Sequence, residues 1–192
     1  MAWTGFKTFA FSVAVAVSTT VTLSTPVSAQ APKRGGTLNF AVVAEPPNYD
    51  CHANITFGFV HPVAPHYSYL LKVDTEHFPK VTGDLAESWS ASPDGLTYTF
   101  KLHAGVKFHD GTLLTSQDVK ASYERIIRPT GDVVSARKSY YADFGDIETP
   151  DPLTVVFKMK GPVAGVPELL ASPFNCIYSA AKLKQNPRYP ET

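Results

Sequence analysis

Residues of types able to do chemistry are few in this sequence, and they are scattered. His109 and Asp110 stand side by side in Phe108-His109-Asp110-Gly111, a pairing in which a carboxylate could orient an imidazole base. The same four residues also read as a turn, because Asp bonds its own backbone and Gly accepts positive φ. Cys51 and His52 are adjacent, but no second Cys stands at C-x-x-C spacing. Neighbouring side chains of an extended segment also point to opposite faces, which argues against zinc. His61 and His66, with prolines at 62 and 65, supply no ligand pair on one helical face. A secreted hydrolase, the alternative class, would need a nucleophile or paired carboxylates beside a base. No G-x-S-x-G or H-E-x-x-H arrangement is present.

The two cysteines, Cys51 and Cys176, are the only pair a disulfide could use. A bridge would close most of the chain into one loop, worth up to ~5 kcal/mol in the chain-entropy model if the Cα atoms approach within ~7 Å. Two unpaired, buried thiols are the other reading. An oxidising compartment is implied by the N-terminus, where residues 1–29 carry one charge (Lys7), an apolar stretch over 9–17 and the small-residue ending Val27-Ser28-Ala29. This predicts a secretory signal cleaved after Ala29, with an apolar core too short for the ~20 residues of a membrane-spanning helix.

The chain has 192 residues, 17 Lys+Arg and 17 Asp+Glu, so no basic surplus exists to neutralise a nucleic-acid backbone. With 44% hydrophobic residues it can bury a core. Seven of its 16 prolines lie from Pro150 onward, which predicts only short helices there.

The elements that must position these residues follow from periodicity. Residues 37–43 alternate and then turn wholly apolar, which predicts a strand buried at its end and stopped by Pro46-Pro47. Residues 64–73, with Pro65 in the first turn and Tyr67, Leu70 and Leu71 at helical spacing, predict a short helix. Residues 85–92 and 96–102 are strand-like runs joined by Pro93-Asp94-Gly95, with Leu96, Tyr98, Phe100 and Leu102 on one face. Trp89 and these aromatics are expected in the core. A short strand over 106–108 ends at the His109-Asp110-Gly111 turn. Thr115 and Asp118 then open a helix that buries Val119, Ser122, Tyr123 and Ile126 and stops at Pro129. A second hairpin joins Ile147-Glu148 to residues 154–159 through Pro150-Asp151-Pro152, and Gly161-Pro162 leads into an apolar, proline-broken segment ending near Ser172.

Several of these runs, in this order, resemble a known family. Arg34-Gly35-Gly36-Thr37-Leu38, Asp84-Leu85-Ala86-Glu87-Ser88-Trp89, residues 93–102 and residues 105–112 carry the resemblance, with Leu114-Thr115, Asp118-Val119 and Glu124-Arg125. Together they are similar to the signature of family 5 extracellular solute-binding proteins, the dipeptide- and oligopeptide-type receptors of ABC importers.

The resemblance implies a mixed α/β, periplasmic-binding-protein-like fold of type II, in the large peptide-receptor subclass. Residues 30–73 would begin lobe I, 74–167 form the small inserted subdomain with its hairpins, and 168–192 return to lobe I. Family members are several hundred residues long, so the chain reads as an N-terminal fragment without its second lobe. The function implied is non-enzymatic and needs no cofactor. A peptide or other small polar solute would be bound in the periplasm by a protein monomeric when full length and presented to ABC permease membrane subunits. A nickel- or haem-type receptor is the alternative within the family. For ligand contact the family analogy points to the loop after the opening strand, occupied by Glu45, Tyr49, Asp50 and Cys51. A plain solvated loop is the competing reading of the same residues.

Overall fold

The computed structural model describes residues 35–37 and 39–191. The expected signal peptide lies outside the described residues. The chain divides between Asn39 and Phe40, and every named element lies from Phe40 onward. In order these are α1 (Phe57–Val63), β1 (Leu71–Val73), β2 (Val81–Gly83), β3 (Ala86–Ala91), β4 (Thr97–Leu102), α2 (Ser116–Ile127), β5 (Phe144–Asp151), β6 (Thr154–Met159), α3 (Val166–Leu170) and α4 (Ala180–Gln185). Three 3-10 turns, Ala64–His66, Lys138–Tyr141 and Tyr189–Glu191, link or end them. Helices α3 and α4 have only five and six residues, as the proline content requires.

The centre is a four-stranded antiparallel sheet in the order β3-β4-β6-β5. Both hairpins form where turn chemistry and alternation place them. In the first, Gly95 has φ +70°, the Asp94 carboxylate accepts the Leu96 N–H at 3.0 Å, and Trp89 faces Phe100. In the second, Ile147 faces Phe157, and Phe157 also faces Tyr98 on β4. One sheet face therefore gathers Tyr98, Phe100, Leu102, Ile147, Val155 and Phe157, all buried. Phe157 is the hub, with the rings of Phe100, Tyr123 and Phe144 edge-on at 5.6, 5.1 and 5.8 Å. Each such contact adds about 0.5–1.5 kcal/mol to area burial. Partly buried Trp89 packs against the same cluster.

Helix α2 brings Val119, Tyr123 and Ile126 into this core. Its start is a full capping box: the Asp118 carboxylate accepts the Thr115 N–H at 2.7 Å, while the Thr115 side chain accepts the Asp118 N–H. A second stripe on the helix is polar and equally buried, with Asp118, Ser122 and Arg125 at i, i+4 and i+7. It docks the C-terminal backbone: Asp118 accepts the Ala180 N–H at 2.8 Å, Ser122 accepts the Tyr178 N–H at 2.8 Å, and Arg125 Nε donates to the Pro187 carbonyl at 3.0 Å.

Three expectations are corrected. Residues 40–43 form no strand, and Phe40 and Val43 are 61% and 90% exposed, because a strand needs a hydrogen-bonded neighbour and no described strand lies beside this segment. The helix expected over residues 64–73 is displaced. Regular helix lies earlier, at Phe57–Val63, and Leu71–Val73 is strand β1. Leu70 and Leu71 are both fully buried, and β1 pairs with β2, whose Gly83 lies so close to the Ala86 carbonyl that a Cβ there would approach it to 2.1 Å. Residues 106–108 form one isolated bridge, Lys107 to Leu113, instead of a strand.

Asp118 serves two roles, capping α2 and accepting a backbone donor from the chain that leads into α4. Asp118→Ala should therefore lower unfolding free energy by roughly 2–4 kcal/mol, the sum of a lost cap and a stranded donor. Urea denaturation measures this; a loss under about 0.5 kcal/mol would place the docking elsewhere.

Candidate functional site

Of the loop residues expected to meet a ligand, the structure separates two from two. Glu45 and Tyr49 lie at the surface, with the Tyr49 hydroxyl donating to the Glu45 carboxylate at 3.0 Å. That bond raises the Tyr49 pKa, and the carboxylate's charge adds to the shift. Asp50 and Cys51 have no exposed surface. Asp50 is therefore no solvated loop residue; its carboxylate forms a buried ion pair.

The loop is fastened residue by residue. Asn48 Oδ1 accepts the Asp50 N–H at 3.0 Å, and the Asn54 side chain donates to Asn48 Oδ1 and to the Asp50 carbonyl, both at 2.8 Å. Asp50 thereby aims its carboxylate inward at Arg125. Arg125 Nη1 meets Asp50 Oδ1 at 3.0 Å and Nη2 meets Oδ2 at 2.6 Å, the two-pronged geometry that suits guanidinium and carboxylate. The Tyr178 hydroxyl donates to the same Oδ1 at 3.2 Å and accepts the Cys51 N–H at 2.8 Å. Burial, reinforced by the Asp50 charge, drives the Tyr178 pKa upward, so it remains a phenol.

His52 completes the cluster in one tautomer only. Its Nε2 lies 3.0 Å from the Cys176 carbonyl, which can only accept, and its Nδ1 lies 3.0 Å from Arg125 Nη1, which can only donate. The ring is therefore neutral, with its proton on Nε2. Burial, the main cause, lowers its pKa to about 4; the Arg125 charge pushes the same way and Asp50 opposes it. Beside it, Cys51 and Cys176 are bonded across a Cα–Cα distance of 5.9 Å. Phe59, Val63, Tyr69, Phe174, Tyr178 and Leu183 surround the disulfide as a second apolar cluster.

This arrangement is built for holding. Its base is neutral and sealed, and its carboxylate has both oxygens engaged. The His109-Asp110 dyad does not form either: Asp110 pairs with Lys182 at 2.7 Å and accepts from Thr112, and these bonds hold its carboxyl well below the usual range. Among the described residues no group of three or more His, Cys, Asp or Glu side chains could hold a metal. His61 instead meets the exposed rings of Phe40 and Phe57, at 6.3 and 5.7 Å.

Sequence reasoning missed Arg125, Tyr178 and His52 as a unit. A signal was present in α2, where the polar residues 118, 122 and 125 share one helical face beside the apolar stripe. A polar stripe at that spacing next to a buried one marks a docking face.

The model of the family described as bacterial extracellular solute-binding proteins, family 5 Middle, matches residues 80–191. A putative ABC transporter peptide-binding protein of Brucella ovis is 38% identical over 157 residues, covering 79% of this chain and 28% of its own. The glutathione-binding protein GsiB of an Escherichia coli O1:K1 strain is 37% identical over 119 residues, 62% of this chain and 22% of that one. The structure of AgaA from A. tumefaciens R10, in complex with agropinic acid, superposes with a TM-score of 0.70 at 34% identity, covering 77% of this chain and 29% of the other. The chain thus spans about a quarter of the length of the curated relatives it matches. The fold is that of the periplasmic solute-binding proteins.

Removing one partner of the buried pair strands the other charge. Asp50→Asn or Arg125→Met should cost about 3–5 kcal/mol of unfolding free energy in urea titrations. A separate outcome concerns pH. His52 titrates near 6.5 when unfolded and near 4 when folded. The unfolded chain therefore takes up the proton first as pH falls. Stability should be complete above about pH 6.5 and decline by on the order of 3 kcal/mol between pH 6.5 and 4. His52→Gln should flatten that slope in thermal melts across the window.

Proposed function

The chain belongs to the bacterial extracellular solute-binding proteins of family 5, and from that membership we propose that it forms part of the substrate-binding component of an ABC importer. The match of the family model to residues 80–191 carries the reading. Support comes also from the relatives, whose names specify peptide and glutathione binding, and from AgaA, whose bound agropinic acid is another small polar solute. The solute here is a peptide or a related small polar molecule, captured between two lobes in the periplasm and delivered to membrane permease subunits. Residues 1–29 act as the cleaved export signal, and the full-length protein is a monomer. No step of chemistry is assigned to the protein.

Within this reading residues 30–73 and 168–192 belong to lobe I and 74–167 to the small subdomain. The make-up of the two apolar clusters supports the division. The disulfide cluster draws its buried members from residues 51–69 and 174–183, and the sheet cluster draws mainly on the intervening chain. Glu45 and Tyr49 are the loop's solute contacts, with the Glu45 carboxylate suited to a solute ammonium group. Asp50 and Cys51 act indirectly, by fixing the loop that carries them. Binding energy favours the closed arrangement of the lobes, which the permease reads.

Calorimetric titration of glutathione, di- and tripeptides and agropinic acid into the full-length protein tests this. Saturable one-to-one binding of at least one solute is expected, and Glu45→Gln should weaken an ammonium-bearing solute by about tenfold. Turnover of a peptide without saturable binding would overturn the receptor reading.

A further inference from the structure

Arg137 differs from the other described arginines. Arg125, Arg128 and Arg188 each have an acidic partner, in Asp50, Asp146 and Glu191. Its carbonyl accepts the Tyr140 N–H at 3.0 Å, but the Arg137 side chain makes no ion pair and no hydrogen bond among the described residues, and its buried Nε is left without an acceptor. What positions it is aromatic. Its guanidinium carbon stands 3.8 Å from the centroid of the Phe174 ring and 5.8 Å from that of Tyr140. Phe174 stacks in turn on Phe59 at 6.2 Å and 19°, inside the disulfide cluster. The preceding residue, Ala136, donates its N–H to the His52 carbonyl at 3.0 Å, which ties this stretch of chain to the clamped loop.

Stacking fixes a guanidinium in place without using its N–H donors. The terminal Nη groups of Arg137 therefore stay uncommitted while the side chain is already ordered. Such a group can take a carboxylate through two parallel bonds with little further ordering to oppose binding. The surroundings suit a solute. Tyr140, 61% exposed, offers apolar surface next to the charge.

We propose that Arg137 is a specificity-determining residue that receives a carboxylate of the bound solute, with Tyr140 packing against the solute's apolar part. The assignment rests on the receptor reading and narrows it to solutes that carry a free carboxylate.

The test uses the full-length protein, calorimetry, and three probes: glutathione, trialanine and trialanine carboxamide. The wild type should bind a carboxylate probe about 10- to 100-fold more tightly than the carboxamide, the size expected for one charge-assisted bonded pair. Arg137→Gln should remove that preference while leaving carboxamide affinity unchanged. Arg137→Lys, which keeps the charge but loses the planar fork, should retain part of it and guards against a variant that fails to fold. If the wild type binds none of the probes but saturates with another solute of the receptor test, the assignment alone is overturned; if it saturates with none of those solutes, the receptor reading falls and the assignment with it. If the wild type discriminates and both variants still do, the assignment alone is overturned. Equal losses for carboxylate and carboxamide would also overturn it, since they would mark a purely structural role.

Discussion

The buried pair of Asp50 and Arg125 is the constraint on which the rest of the structure depends. Neither charge could be left alone in an interior without a cost of several kcal/mol, so each requires the other, and three distant stretches of chain must meet to satisfy both. The loop supplies Asp50, α2 supplies Arg125, and the C-terminal stretch supplies the Pro187 carbonyl and the Tyr178 hydroxyl. The disulfide fastens the same loop to the same stretch across a sequence separation of 125. A covalent bond and a charge pair thus oppose the loop-closure entropy of one long-range contact together.

This division of labour explains the two apolar clusters. The sheet cluster could assemble from hairpins and a neighbouring helix, all close in sequence. The disulfide cluster joins the beginning and end of the described chain and relies on directional bonds to find its register. Polar stripe and apolar stripe of α2 face different neighbours: Val119, Tyr123 and Ile126 enter the sheet core, whereas Asp118, Ser122 and Arg125 receive the backbone of the returning chain. One helix therefore connects both clusters. Residues 55–57, just beyond the clamp, carry the exposed apolar side chains Ile55 and Phe57, so a rigid base supports an open apolar surface.

Legibility in the sequence followed the range of the interaction. The hairpins were readable because Pro-Asp-Gly and Pro-Asp-Pro turns and strict alternation are local signals, and the capping box because Thr115 and Asp118 are three residues apart. Residues 37–43 have the pattern of a strand, but pattern alone cannot supply the hydrogen-bonding neighbour that a strand requires. Leu70 and Leu71 fit helical spacing with Tyr67, yet burial of two successive residues suits an element covered on both sides, and that covering comes from tertiary packing. The loop acids were the hardest case. Glu45 and Asp50 look alike in sequence, and only an arginine 75 residues away decides that one is interior and the other is not.

The His52 tautomer links this architecture to its surroundings. A neutral imidazole can accept from Arg125 and donate to the Cys176 carbonyl together; a protonated one would turn an N–H toward the guanidinium N–H and lose that bond. The clamp therefore assumes two conditions at once, a pH at which His52 is neutral and an environment in which the adjacent thiols are oxidised. An oxidising, near-neutral compartment outside the cytoplasm meets both. On the receptor reading this has a mechanical use. A lobe that must close over its solute gains affinity when its own loops are ordered beforehand, because less binding energy is then spent on ordering them. The loop bearing Glu45 and Tyr49 and the stretch bearing Arg137 are both anchored at His52, one through the chain itself and the other through the Ala136 N–H bond to the His52 carbonyl. A disturbance at that histidine should therefore reach both surfaces together.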